Sequence, residues 1–118
     1  MAARSFSIQV INLSGLDLSL KDKTLDHGIW GNNDSNTPPE DIANQSKAMI
    51  EAESQGFATG TQGQVMYSSS AGPFQIQWDN PFSGSNAFFV SVPQGYDKTY
   101  TDISGNNANV TLTLIPKM

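Results

Sequence analysis

A chain of 118 residues carries six Lys and Arg, eleven Asp and Glu, one His and no Cys, for a net charge of −5. The length fits one domain, residues 1–118, and a chain of this size hides roughly two-thirds of its unfolded surface without needing covalent staples. The missing cysteines exclude disulfides, thiolate metal sites and a cysteine nucleophile. The scattered cations (Arg4, Lys21, Lys23, Lys47, Lys98 and Lys117) argue against nucleic acid as a partner and against a polybasic lipid patch.

Phe6-Ser7-Ile8-Gln9-Val10 alternates apolar and polar residues, the period of a half-buried strand. Asn12 to Gly15 supplies turn residues and Leu16 to Leu20 alternates again, so the two segments read as a hairpin. A third short strand is expected at Thr24 to Trp30. Gly31 to Glu40 reads as a loop, because Pro38-Pro39 cannot sit in a central strand. Lys47 to Ser54 is read as a strand, with a helical turn near Glu40 to Ala43 as the alternative. Gly56, Gly60 and Gly63 punctuate the next stretch, and they read as turn and close-packing positions because a strand, not a helix, follows.

Phe74, Ile76 and Trp78 give the clearest alternation in the chain, and Asn80 to Asn86 reads as a loop. Phe88, Val90 and Val92 form another strand. Gln94 to Tyr100 reads as a Gly- and Tyr-containing loop, and Val110, Leu112 and Leu114 mark the last strand. Seven or eight short strands separated by turns predict an all-β, two-sheet antiparallel sandwich. Ile8, Val10, Leu18, Ile76, Trp78, Val90, Leu112 and Leu114 are its expected core. No stretch approaches the roughly 20 apolar residues of a membrane span, and the N-terminus lacks a signal-peptide apolar run. The expectation is a protein made soluble in the cytoplasm, released by a non-classical route and peripheral on target membranes.

Chemistry is sparse. His27 is the single histidine and cannot build a multi-histidine metal site, and no Gly-x-Ser-x-Gly elbow occurs. Asp22 with Asp26, and Asp97 with Asp102, could serve as glycosidase carboxylates only at a separation that chain spacing does not establish. Asn12, Asn33, Asn44 and Asn109 begin Asn-x-Ser/Thr sequons, read as chance matches in an Asn- and Ser-rich chain. The expectation is no enzyme, no cofactor and no metal. The aromatics carry more. Phe74, Trp78 and Phe88 occupy core-type positions. Trp30, Phe57, Phe82, Tyr96 and Tyr100 lie in or beside Gly- and Asn-rich segments, where rings suit a membrane interface, sugar stacking or packing beneath a loop.

Several segments together resemble the aegerolysin family of lipid-binding cytolysins. They are Ile8-Gln9-Val10-Ile11-Asn12 with Ser14-Gly15, then Leu25-Asp26-His27-Gly28-Ile29-Trp30, then Ser54 to Gly63. The most specific is Trp78-Asp79-Asn80-Pro81-Phe82-Ser83-Gly84-Ser85-Asn86, similar to a family segment with Asn80 in place of Cys and Phe82 in place of Trp. The likeness is closer to a short branch that includes crystal-type insecticidal proteins. A looser likeness to actinoporins spans Ala58 to Tyr67.

The resemblance implies a β-sandwich that recognises membrane lipids, sphingolipid and sterol, and in some members forms pores with a perforin-like protein partner. By motif it carries Trp30, Trp78, Asp79, Pro81 and Phe82 over as lipid-binding residues; Tyr96 and Tyr100 join them as loop aromatics. The expected site is the loops near Trp30, Phe82, Tyr96 and Tyr100. The alternative function is a carbohydrate-binding lectin of the fungal type.

Overall fold

In the computed structural model, which describes residues 3–118, alternation of side chains sorts the strands into two facing layers. The first sheet holds β1 (Ser5–Asn12), β3 (Ile29–Trp30), β5 (Lys47–Glu53), β9 (Tyr96–Tyr100) and β10 (Asn107–Pro116), in the order β3-β5-β1-β10-β9. The second holds β2 (Leu18–His27), β4 (Asp41–Ile42), β6 (Thr61–Ser68), β7 (Phe74–Asn80) and β8 (Ala87–Ser91), in the order β4-β2-β6-β7-β8. The fold is the expected two-sheet sandwich. Among the described residues all strand pairings are antiparallel but one: β1 and β10 run parallel, with Ile8 opposite Val110 and Val10 opposite Leu112.

The eight expected core residues are all buried, and Phe6, Ile50, Val65, Phe74 and Phe88 join them. Every second residue of β1, β6, β7 and β10 points inward, so the period of two in the sequence becomes the inner face of each sheet. Tyr67 is buried and donates its hydroxyl to Pro39 O at 2.7 Å, which moors the Pro-containing loop to the core. Burial, then the nearby Glu40 and Asp41 charges, push its phenol well above the ordinary range.

Three local expectations are corrected. First, β1 and β2 do not form a hairpin; they lie in different sheets. The reason is the Asn12 side chain, which is fully buried at the corner. Its amide donates to Leu16 O, Ile42 O and Ala43 O at 2.8–3.2 Å, and its Oδ1 accepts from the Ser14 N–H and hydroxyl. Those bonds satisfy the Leu16 carbonyl and the Ser14 N–H of the turn and tie it to residues 42 and 43, steering the chain across to the second sheet. Asn12→Ala leaves buried carbonyls without a donor. We expect a loss of about 2–4 kcal/mol, read from the midpoint of urea unfolding.

Second, Thr24 to Trp30 is not one strand. β2 runs through His27, the chain bends at Gly28, and Ile29–Trp30 continues in the first sheet. Gly28 has φ +95°, and a Cβ there would meet Glu53 O at 2.4 Å, so only glycine allows the crossing. Third, Tyr96–Tyr100 is an edge strand paired with β10 rather than a loop. The expected strand from Lys47 forms as β5, and of the alternative helical turn nothing forms, since residues 41–42 pair with β2. Gly31–Asp34 forms a single left-handed turn, with φ of 51°, 55° and 70° at Asn32, Asn33 and Asp34. Asn and Asp tolerate that region, and the Asp34 carboxylate fixes it by accepting the Trp30 N–H at 3.0 Å.

Candidate functional site

Strand registers define two ends. Ser5, Glu53, Thr61, Asn80, Ala87 and Asn107 lie at one, here the Ser5 end; Asn12, Lys47, Ser68, Phe74 and Pro116 lie at the other. Three loops meet at the Ser5 end: residues 54–60, 81–86 and 101–106. Two asparagines bind the last two of these to one another and to β1. Asn80 donates to Ser5 O and Asn106 O, each at 2.9 Å, and Asn86 donates to Ile103 O and Gly105 O at 2.8 and 2.9 Å. Asp102 adds an internal clasp by accepting the Ser104 hydroxyl at 2.7 Å and its N–H at 3.1 Å. The hydroxyl and then the N–H hold this carboxyl below the usual carboxylate range.

Two phenylalanines project from this end. Phe57 is 98% exposed, at the tip of a turn that Thr59 locks by donating to Gln55 O at 2.7 Å and Gly56 O at 3.1 Å. Phe82 is 43% exposed and lies under the Arg4 guanidinium, 4.7 Å from the ring centroid. Arg4 also donates to Phe82 O at 2.7 Å, while its backbone N–H bonds Ser54 Oγ at 3.1 Å. One residue, through its guanidinium and its backbone N–H, therefore clamps the loop of Phe82 to the base of the loop of Phe57. Both rings border a common cleft of about 370 Å³. On its other side Phe82 borders a cleft of about 410 Å³, lined by uncharged groups of Ser85, Asn86, Ser104 and Asn106 together with Arg4.

The residues singled out from sequence do not converge. Pro81 and Phe82 stand in the loop at the Ser5 end. Trp30 and Trp78 are only 8% and 2% exposed, with ring centroids 6.0 Å apart, so both indoles are inside the sandwich. Asp79 faces outward from the second sheet. Tyr96 pairs with Pro116 at the opposite end of the molecule and packs on Phe74. Tyr100 lies along the edge of the first sheet, its ring 4.9 Å from that of Phe88. A single loop cluster of Trp30, Phe82, Tyr96 and Tyr100 is therefore corrected. β9 places its two tyrosines at different heights, and the crossing at Gly28 turns Trp30 inward. Phe57, seen in the sequence as a loop aromatic, was not placed in the expected site. Its signal is an apolar ring beside a positive-φ glycine, Gly56, with φ of +92°.

The geometry defines a class: a β-sandwich whose one end offers apolar rings on ordered loops beside hydrogen-bonding groups that are mostly those of Asn and Ser. Among the described residues, no group of three or more His, Asp or Glu side chains is arranged to hold a metal ion. The family model named Aegerolysin matches residues 3–114, and the chain belongs to the aegerolysin family. It is 32% identical over 117 residues to an uncharacterized protein of Dictyostelium discoideum, covering 95% of this chain. The chain spans about a tenth of the length of that curated relative. Its fold is similar to the crystal structure of the lipid-binding protein Nakanori, with a TM-score of 0.83, 15% identity, and coverage of 97% of this chain and 72% of that one.

Proposed function

We propose that this aegerolysin domain is a non-enzymatic membrane-lipid binding module that docks through its Ser5 end. The observation carrying this reading is the pair of exposed rings, Phe57 and Phe82, on neighbouring loops held by Arg4 and Thr59. A loop already held in place loses little entropy when its ring inserts, and the ring gains the burial of its apolar surface. The charge at this end favours neutral membranes. Asp26, Glu53, Asp79 and Asp102 lie there, and Arg4 is its only Lys or Arg among the described residues. Affinity then rests on ring insertion and on hydrogen bonds from the Asn- and Ser-lined cleft to a headgroup.

The family resemblance supports sphingolipid with sterol as the surface recognised, and a larger perforin-like protein as the partner of a pore-forming, cytolytic or insecticidal assembly. The name of the structural neighbour, a lipid-binding protein, supports the coarser part of this reading.

The test is co-sedimentation with neutral sphingomyelin/cholesterol vesicles and with anionic phosphatidylserine vesicles, at low and physiological salt. Binding to the neutral vesicles is expected, with little change between the two salt concentrations, because few opposite charges are there to be screened. Lys21→Ala and Lys23→Ala, both on the middle of β2, should leave it unchanged. Binding confined to anionic vesicles and abolished by salt would contradict the proposal.

A further inference from the structure

The outer face of the second sheet carries an arrangement that the lipid reading does not use. Register places Thr24, Gln64, Gln77 and Phe89 in one row across β2, β6, β7 and β8, and Gln62, Asp79 and Ala87 in the next. Phe89 is 66% exposed at the end of its row. The glutamines are ordered by one another: Gln64 Oε1 accepts the amides of Gln75 at 2.8 Å and Gln77 at 2.9 Å. Both lone pairs of that oxygen are used. The Nε2 of Gln64 and the Oε1 atoms of Gln75 and Gln77 then have no protein partner among the described residues. Donor and acceptors stand side by side on a rigid sheet.

We propose that this face is a second binding site, for a neutral pyranose sugar. The site is a cleft of about 210 Å³ bordered by Asp26, Gln62, Gln64, Gln77, Asp79 and Phe89. A pyranose has one face of C–H groups and a rim of hydroxyls. The C–H face fits the negative face of the exposed Phe89 ring. The hydroxyls, each donor and acceptor, fit the alternating amide groups and the Asp26 and Asp79 carboxylates. A few fixed polar groups beside an aromatic platform are what orient a small ligand. Ala87, beside Asp79 in the register, leaves room above the sheet. Asp26 and Asp79 also set the class: a sialylated or sulfated sugar would meet two like charges.

Neither Phe57 nor Phe82 borders this cleft, although Gln62 and Asp79 also border a cleft beside Phe82, so variants of Phe89 and Phe57 tell the two readings apart. The experiment is a glycan array carrying neutral, sialylated and sulfated glycans, followed by calorimetric titration with the methyl glycoside of the best neutral sugar. Binding confined to neutral glycans is expected. Phe89→Ala should weaken it by at least about tenfold and Gln77→Ala by about tenfold, each a change of one decade in Kd. Phe57→Ala should not alter it, and Phe89→Ala should not alter sedimentation with glycolipid-free vesicles. An array with no signal, a signal only from anionic glycans, or a titration unchanged by Phe89→Ala in a folded protein would overturn the proposal. So would loss of vesicle binding in Phe89→Ala, which would make this sheet the membrane face.

Discussion

The double variant Phe57→Ala/Phe82→Ala should lose binding to neutral sphingomyelin/cholesterol vesicles by about a hundredfold, since each tenfold corresponds to about 1.4 kcal/mol. Fully burying a Phe side chain contributes about 1.5–3 kcal/mol relative to leaving it exposed. Phe57, at 98% exposure, has nearly all of that gain in reserve. Phe82, at 43%, has already hidden over half of its surface against the protein, so its own effect should be the smaller. The single variants should therefore rank Phe57→Ala above Phe82→Ala. Neither ring supports the core, so the thermal midpoint should move little on replacing Phe57. The measurement is the bound fraction against lipid concentration for wild type, both singles and the double. Full binding by the double variant would remove the Ser5 end as the docking surface.

Trp78→Ala should destabilise the fold by about 3–5 kcal/mol, the range for an aromatic deleted from a packed core. The indole spans the space between the sheets. It faces Gly63 on β6 and Phe88 on β8, and its ring is 6.0 Å from that of Trp30. Gly63 shows how closely it is fitted: a Cβ at that position would meet Trp78 Cζ2 at 2.9 Å and Leu25 Cδ2 at 2.8 Å. The sandwich cannot close over the vacated volume without drawing β3 and β6 together, so most of the cavity should persist. Guanidinium unfolding followed by far-ultraviolet circular dichroism reads the change. A loss below about 1 kcal/mol would mean that the site collapses freely. Any lipid-binding defect in Trp78→Ala or Trp30→Ala should then track the folded fraction, in contrast to Phe57→Ala.

Much of this molecule was legible in its residues. Strict alternation in Phe6 to Val10, Phe74 to Trp78 and Val110 to Leu114 determined strands with one buried face, and those faces are the core that forms. The segment Trp78 to Asn86 carried the family resemblance, and the loop it predicted, with Phe82 partly exposed at its start, stands at the candidate site.

Alternation states which face of a strand is buried, not which strand lies beside it. The parallel pairing of β1 with β10 joins segments about a hundred residues apart and leaves no local mark. The separation of β1 from β2 depends on one buried amide, Asn12, which reads in the sequence as an ordinary turn residue. The site divided in the same way. Sequence named aromatic residues in Gly- and Asn-rich segments, but an isolated ring carries no sign of its direction. The crossing at Gly28 turned Trp30 into the core, the edge pairing of β9 carried Tyr96 to the far end, and the clamp of Arg4 and Thr59 left Phe57 and Phe82 together in solvent. Composition fixed which rings were available; the path of the backbone between the two sheets decided which of them face outward together.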